Sequence, residues 1–137
     1  MKANELKVTD IMVGDWVRVI SAEPNTYRRP FYQIITVEKM MMIRNRRMVV
    51  EPIPLTPEIL EKNGFEREPF VTHCDMYSGI DRRVNMHNSK EYANSNNEWH
   101  VHIDSEDYCS IASCELTYVH ELQQILRLCK IDKEIIV

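Results

Sequence analysis

The chain has 137 residues, a formal net charge of −4, 44% hydrophobic and 28% charged residues. A chain of this length buries about two thirds of its unfolded surface on folding, so one domain, or two small lobes sharing a core, needs neither disulfide nor metal for stability. No apolar run approaches the ~20 residues of a membrane span, and Met1–Glu5 lacks the apolar core of a secretory signal, so a cytoplasmic protein with no membrane partner is expected.

The charge is unevenly spread. Residues 1–53 carry nine Lys/Arg against six Asp/Glu, and residues 54–137 carry eight against fifteen. Either the basic part meets a partner, or the two parts complement each other within one molecule or a homo-oligomer. The four cysteines, Cys74, Cys109, Cys114 and Cys129, include no C-x-x-C pair. They read as free thiols of a reducing compartment rather than zinc ligands or a disulfide frame.

In chain order, residues 9–12 suit one helical turn capped by Thr9 or Asp10, and Gly14-Asp15 is a turn signal. Trp16 to Ile20 reads as a strand, and residues 21–30, with Pro24, Asn25 and Pro30, as a loop. Phe31 to Val37, Met40 to Ile43 and Met48 to Glu51 read as further strands. A reversal at Glu38-Lys39 and a polar hairpin loop at Arg44 to Arg47 link them. Short strands joined by short turns over residues 1–53 predict an SH3-like small β-barrel. Pro52 and Pro54 end that sheet. Thr56 then caps a helix over 57–63, with Pro57 at its first position and Asn63-Gly64 as its stop.

Beyond residue 65 a second β region is expected, with strands over Phe70 to Tyr77, Arg82 to His87, Trp99 to Asp104 and Tyr108 to Cys114. In Trp99-His100-Val101-His102-Ile103-Asp104 the alternation puts Trp99, Val101 and Ile103 inward and the two histidines outward. The Asn/Ser-rich stretch Asn88 to Glu98 reads as a surface loop. Val119, Leu122, Ile125, Leu126 and Cys129 recur at helical spacing and predict a helix over Tyr118 to Lys130, covering one face of the second sheet. Residues 131–137 suit a short strand or an extended tail. The fold class expected is therefore α+β. An SH3-like barrel over 1–53 and a helix–sheet–helix lobe over 54–137 make one compact unit, residues 1–137.

Three segments carry a resemblance: Val13-Gly14-Asp15-Trp16-Val17, Pro52-Ile53-Pro54-Leu55-Thr56 running to Gly64-Phe65, and Tyr118-Val119-His120-Glu121-Leu122-Gln123. This frame resembles a family of small proteins found in gut bacteria and in their phages and mobile elements. The family brings no assigned activity or catalytic residues. The resemblance implies a cytoplasmic setting and a mobile-element context, and it does not cover residues 66–98.

The chemical motifs are incomplete. His120-Glu121-Leu122-Gln123-Gln124 lacks the second histidine that H-E-x-x-H needs to hold zinc. His100 and His102 share a strand face and could ligate a metal with His73 or Cys74, but solvated histidines are the ordinary outcome of that pattern. Cys74 lies between His73 and Asp75, yet on a strand it points away from both, which argues against thiol catalysis. The three glycines, Gly14, Gly64 and Gly79, are isolated, which excludes a phosphate-cradling loop and a dinucleotide fingerprint. No cofactor is expected and no enzyme. Arg44, Arg46 and Arg47, with Arg28 and Arg29, are the candidate binding residues, since arginine beside aromatic side chains suits nucleic acid or an acidic peptide. A protein partner or self-association is the favoured use. A nucleic-acid module built on those arginines is the alternative, and a metal-dependent enzyme around His100 and His102 ranks below it.

Overall fold

The computed structural model describes residues 5–69, 74–89 and 98–137. The expected loop between Asn88 and Glu98 lies mostly outside the described residues. So do the start of the strand expected from Phe70, and His73. The chain divides into two compact units. One comprises Met1–Pro54, Tyr118–Gln124 and Val137; the other comprises Leu55–Thr117 and Ile125–Ile136.

The first unit holds strands β1 (Trp16–Ala22) and β2 (Asn25–Ile34), helix α1 (Val37–Arg44) and strand β3 (Met48–Glu51). The strands make one antiparallel sheet in the order β2-β1-β3. No closed barrel is found among the described residues, because the segment expected as a third consecutive strand, Met40 to Ile43, is helical. The Thr36 hydroxyl caps that helix by accepting from the Lys39 N–H at 3.3 Å, and Glu38 stands in its first turn. A four-residue apolar run has no period that tells strand from helix, and here the cap and the helix-favouring methionines decide.

The loop expected over residues 21–30 is also corrected. Only Glu23-Pro24 separates β1 from β2, and Ala22 pairs with Asn25. The register shifts between Val19 and Ser21, so Tyr27 to Pro30 form an irregular stretch opposite Ile20. This stretch lies on an edge strand, where the missing N–H of Pro30 costs no ladder bond. Val17, Val19, Ile35, Ile43, Met48 and Val50, with Ile11, form the core of this unit. Trp16 lies on the opposite face of β1 from Val17 and Val19 and is half-buried.

The second unit begins with helix α2 (Pro57–Lys62), capped by Thr56 and stopped by Asn63. Gly64, at φ +83°, takes the left-handed position after the cap, and Phe65 N–H returns to the Leu60 carbonyl at 3.0 Å. Strands β4 (Glu66–Arg67), β5 (Cys74–Gly79), β6 (Val84–Ser89), β7 (Trp99–Asp104) and β8 (Ser110–Leu116) form an antiparallel meander in chain order. The inward row on β7 is as the alternation predicts: Trp99, Val101 and Ile103 are buried. The Trp99 indole N–H donates to the Leu55 carbonyl at 2.9 Å, satisfying its one polar group within the core.

Helix α3 (Val119–Leu128) falls across the division: residues up to Gln124 count with the first unit and those from Ile125 with the second. Val119, Leu122 and Leu126 of the expected stripe are buried. The tail 131–137 belongs to neither helix nor strand. The side chain of Asn63 stands in for a strand partner. Its amide donates to the Ile136 carbonyl at 2.7 Å, and its oxygen accepts from the Ile136 N–H at 2.8 Å.

Two substitutions test this packing. Leu126 is 1% exposed, so Leu126→Ala is expected to lower stability by about 2–5 kcal/mol in urea denaturation. A Cβ at Gly79 would lie 2.6 Å from the ring of Phe65, itself buried, so Gly79→Ala is expected to cost about 1–3 kcal/mol through overpacking.

Candidate functional site

Helix α1 is unusual for its position. Five of its eight residues are apolar, but they are spread around its circumference and only Ile43 is buried. Met40 and Met42 pack partly against the core. Val37 and Met41, one turn apart on one face, remain 66% and 59% exposed. Arg44 continues that face at the last turn. On edge strand β2, Tyr32 and Ile34 are exposed on the sheet face away from Val17 and Val19.

Beside the C-terminal end of α1 lies a cleft of about 580 Å³ lined by Glu5, Leu6, Lys7, Val8, Ile43, Arg44, Arg46 and Val49. One wall is the segment before β1. Its Leu6 N–H donates to the Val50 carbonyl at 2.9 Å, and a turn closes on Asp10, whose carboxylate accepts from the Lys7 N–H at 2.9 Å. The opposite wall is the stop of α1. Arg46 N–H donates to the Ile43 carbonyl and Arg47 N–H to the Met42 carbonyl, with Arg46 left-handed at φ +59°.

The five arginines expected to bind therefore separate. Arg44 and Arg46 share the cleft with Lys7. Arg47 lies 3.6 Å from the Glu23 carboxylate. Arg28 and Arg29 sit in the irregular stretch of β2, on a strand rather than in a loop, and they do not line the cleft. Arg44 to Arg47 connect a helix to a strand and are not a β-hairpin loop.

In the second unit, strand register creates a polar row on the sheet face opposite Trp99, Val101 and Ile103. Met76, His87, His100 and Glu115 stand in line across β5, β6, β7 and β8. The His87 and His100 rings are 4.9 Å apart. His87 is held below the ordinary imidazole value by burial and then by the nearby charge of His100. His100 shares a hydrogen bond of 3.0 Å with the Ser113 hydroxyl, and His102 lies 2.9 Å from the Asp104 carboxylate. Among the described residues no group of three or more His, Cys, Asp or Glu is placed to hold a metal ion. Cys74 is buried, and its neighbour Asp75 is engaged by Arg67 at 3.0 Å. No disulfide joins any of the four cysteines.

The H-E-x-x-H-like segment is structural. The Glu121 carboxylate accepts from the Tyr118 N–H at 3.0 Å. Gln123 accepts from Trp16 N–H at 2.8 Å and donates to the Gly14 carbonyl at 3.0 Å. Gln124, where a second histidine would stand, donates to the Asp10 carbonyl at 3.0 Å and the Asp15 carboxylate at 2.8 Å. His120 is buried and stacks on Tyr118 with ring centroids 5.9 Å apart. Its Nδ1 has no partner among the described residues.

Sequence reasoning missed Lys7, the exposure of Val37 and Met41, and His87. The Thr36 cap was a signal for α1. Nothing in the sequence placed His87 opposite His100, since that needs the register. No family model matches the chain, nor does any curated protein or solved structure.

Burial lowers the His120 pKa, overriding the carboxylates of Glu121, Asp15 and Asp10, which raise it. In the unfolded chain the imidazole titrates near ~6.5. The stability that this neutral histidine confers is thus complete above that value. It declines as pH falls from ~6.5 toward the lower folded value. Urea denaturation at pH 7.5 and 5.5 is expected to show the loss, and His120→Phe to show a smaller one, with His87 supplying part of what remains.

Proposed function

We propose that this protein is a non-enzymatic binding module that engages a protein partner, or a second copy of itself, through the outer face of α1. The observation that carries this reading is the exposure of Val37 and Met41 on a surface helix that has no apolar side to hide. A surface helix ordinarily keeps its apolar residues in one stripe toward the core. Methionines left outside it suit an adaptable contact surface, because the thioether side chain repacks easily. Arg44 at the end of that face adds a charge for an acidic residue of the partner. The reading places the protein in the cytoplasm, in the mobile-element setting of the family it resembles, with the first unit used as SH3-like lobes are, for recognition. Among the described residues no helix is long and apolar enough to cross a membrane. The nucleic-acid alternative has less support, since Arg28, Arg29 and Arg47 do not join Arg44 and Arg46 in the cleft.

A photoreactive residue at position 41, introduced in the full chain in the cells that produce it, is expected to give a discrete adduct. The adduct should disappear on Val37→Glu, an exposed change expected to alter stability by no more than about 0.5 kcal/mol. An adduct of twice the chain's mass means self-association, and any other mass a different partner. No adduct at position 41, or one unaffected by Val37→Glu, overturns the reading.

A further inference from the structure

We propose that the cleft walled by Lys7, Arg44 and Arg46 is a binding site for a small organic anion with an apolar body and a carboxylate, sulfonate or phosphate head. The proposal does not rest on the protein-interaction reading, because Val37 and Met41 are not among the cleft's walls.

The lining has two parts. Leu6, Val8, Ile43 and Val49 supply an apolar floor, and Lys7, Arg44 and Arg46 supply a cationic rim. None of the three cations has an acidic partner among the described residues, whereas Arg18, Arg47 and Arg67 each have one. Among the described residues Glu5 is the only carboxylate on the lining, so positive charge prevails there in a chain whose net charge is negative. A volume of about 580 Å³ suits a small molecule. Two guanidinium groups offer paired N–H donors that match an oxyanion head. The C-terminal end of a helix ordinarily repels anions. Here the Met42 and Ile43 carbonyls are occupied by the Arg47 and Arg46 N–H groups, and the side chains turned to the cleft are cationic.

A second observation comes from the backbone. Among the described residues the chain makes the same helix stop three times. After α2 the left-handed position is held by Gly64, which adopts it without strain; after α1 it is held by Arg46 and after α3 by Lys130. A side chain in that conformation carries a steric penalty that glycine lacks. Arg44 has an ordinary reason to stand in the last helical turn, where a cation complements the helix dipole. The Arg46 side chain forms part of the cleft, whereas Lys130, in the same position after α3, does not.

The test uses two fluorescent probes on the full chain: 8-anilinonaphthalene-1-sulfonate and its uncharged parent, N-phenyl-1-naphthylamine. The sulfonate is expected to bind saturably at one site, about tenfold or more tighter than the neutral probe, and to weaken with added salt. Arg46→Gly is the decisive variant. It should weaken sulfonate binding by about tenfold while raising the thermal midpoint, because it removes both the cation and the strain. Arg44→Gln should weaken binding with little change in midpoint. Competition then sorts the ligand: aryl or alkyl carboxylates and phosphate monoesters should displace the probe better than inorganic phosphate does. Equal binding of both probes, no binding of either, or unchanged affinity in Arg46→Gly overturns the proposal. Displacement by a short oligonucleotide or acidic peptide in preference to every small anion also overturns it, in favour of a macromolecular ligand.

Discussion

The first unit depends on how one buried carboxylate is satisfied. Asp15 has no exposed surface. Its side chain accepts from the Met12 N–H at 2.8 Å and from the Gln124 amide at 2.8 Å. Its backbone carbonyl accepts from Ile35 N–H, while Gly14 N–H donates to the Ile35 carbonyl, both at 2.8 Å. The turn is thereby tied to the residue just past the end of β2. Gln123 closes the arrangement by satisfying Trp16 N–H and the Gly14 carbonyl. A buried polar group left without partners costs roughly 1–3 kcal/mol. The two adjacent glutamines thus belong to the architecture. The segment beyond Ile35 inherits this fixed position: Thr36 caps α1, and α1 carries both the exposed methionine face and one wall of the cleft.

Asn63 plays a comparable part in the second unit. It is buried, it ends α2, and its amide donates to the Ile59 carbonyl as well as pairing with the tail at Ile136. One short polar side chain holds a helix end and a segment that belongs to no strand. In both units an amide side chain does what a backbone strand would otherwise do.

Much of the architecture was legible before the structure. The Thr56-Pro57 start and Asn63-Gly64 stop specified α2 almost to the residue, since each position had a distinct chemical reason. The alternation from Trp99 to Asp104 gave β7 its inward and outward faces, and the spacing from Val119 to Leu126 gave α3. The run Met40 to Ile43 misled because four apolar residues fit either period, and the deciding Thr36 cap lay outside the run. The cleft was half legible. Arg44 and Arg46 stood out as a basic cluster, but Arg47 sits beside them in sequence and not in the cleft. Lys7, nearly forty residues away, reaches the cleft only because the leading segment runs beside β3. Such placement depends on tertiary register, which local pattern does not encode.

Helix α3 has a consequence for how the chain acquires its structure. Both units are discontinuous: the first needs Tyr118–Gln124 and the second needs Ile125–Ile136. The contacts of Gln123 and Gln124 to the Gly14–Trp16 turn span 107 to 109 residues of sequence. During synthesis the first fifty residues therefore lack the Gln123 and Gln124 contacts until residues 118–124 have been made. Neither unit matures alone on the way, and formation of so many distant contacts is entropically slow. A product lacking residues 118–136 would therefore leave two unfinished cores rather than one finished lobe and one missing.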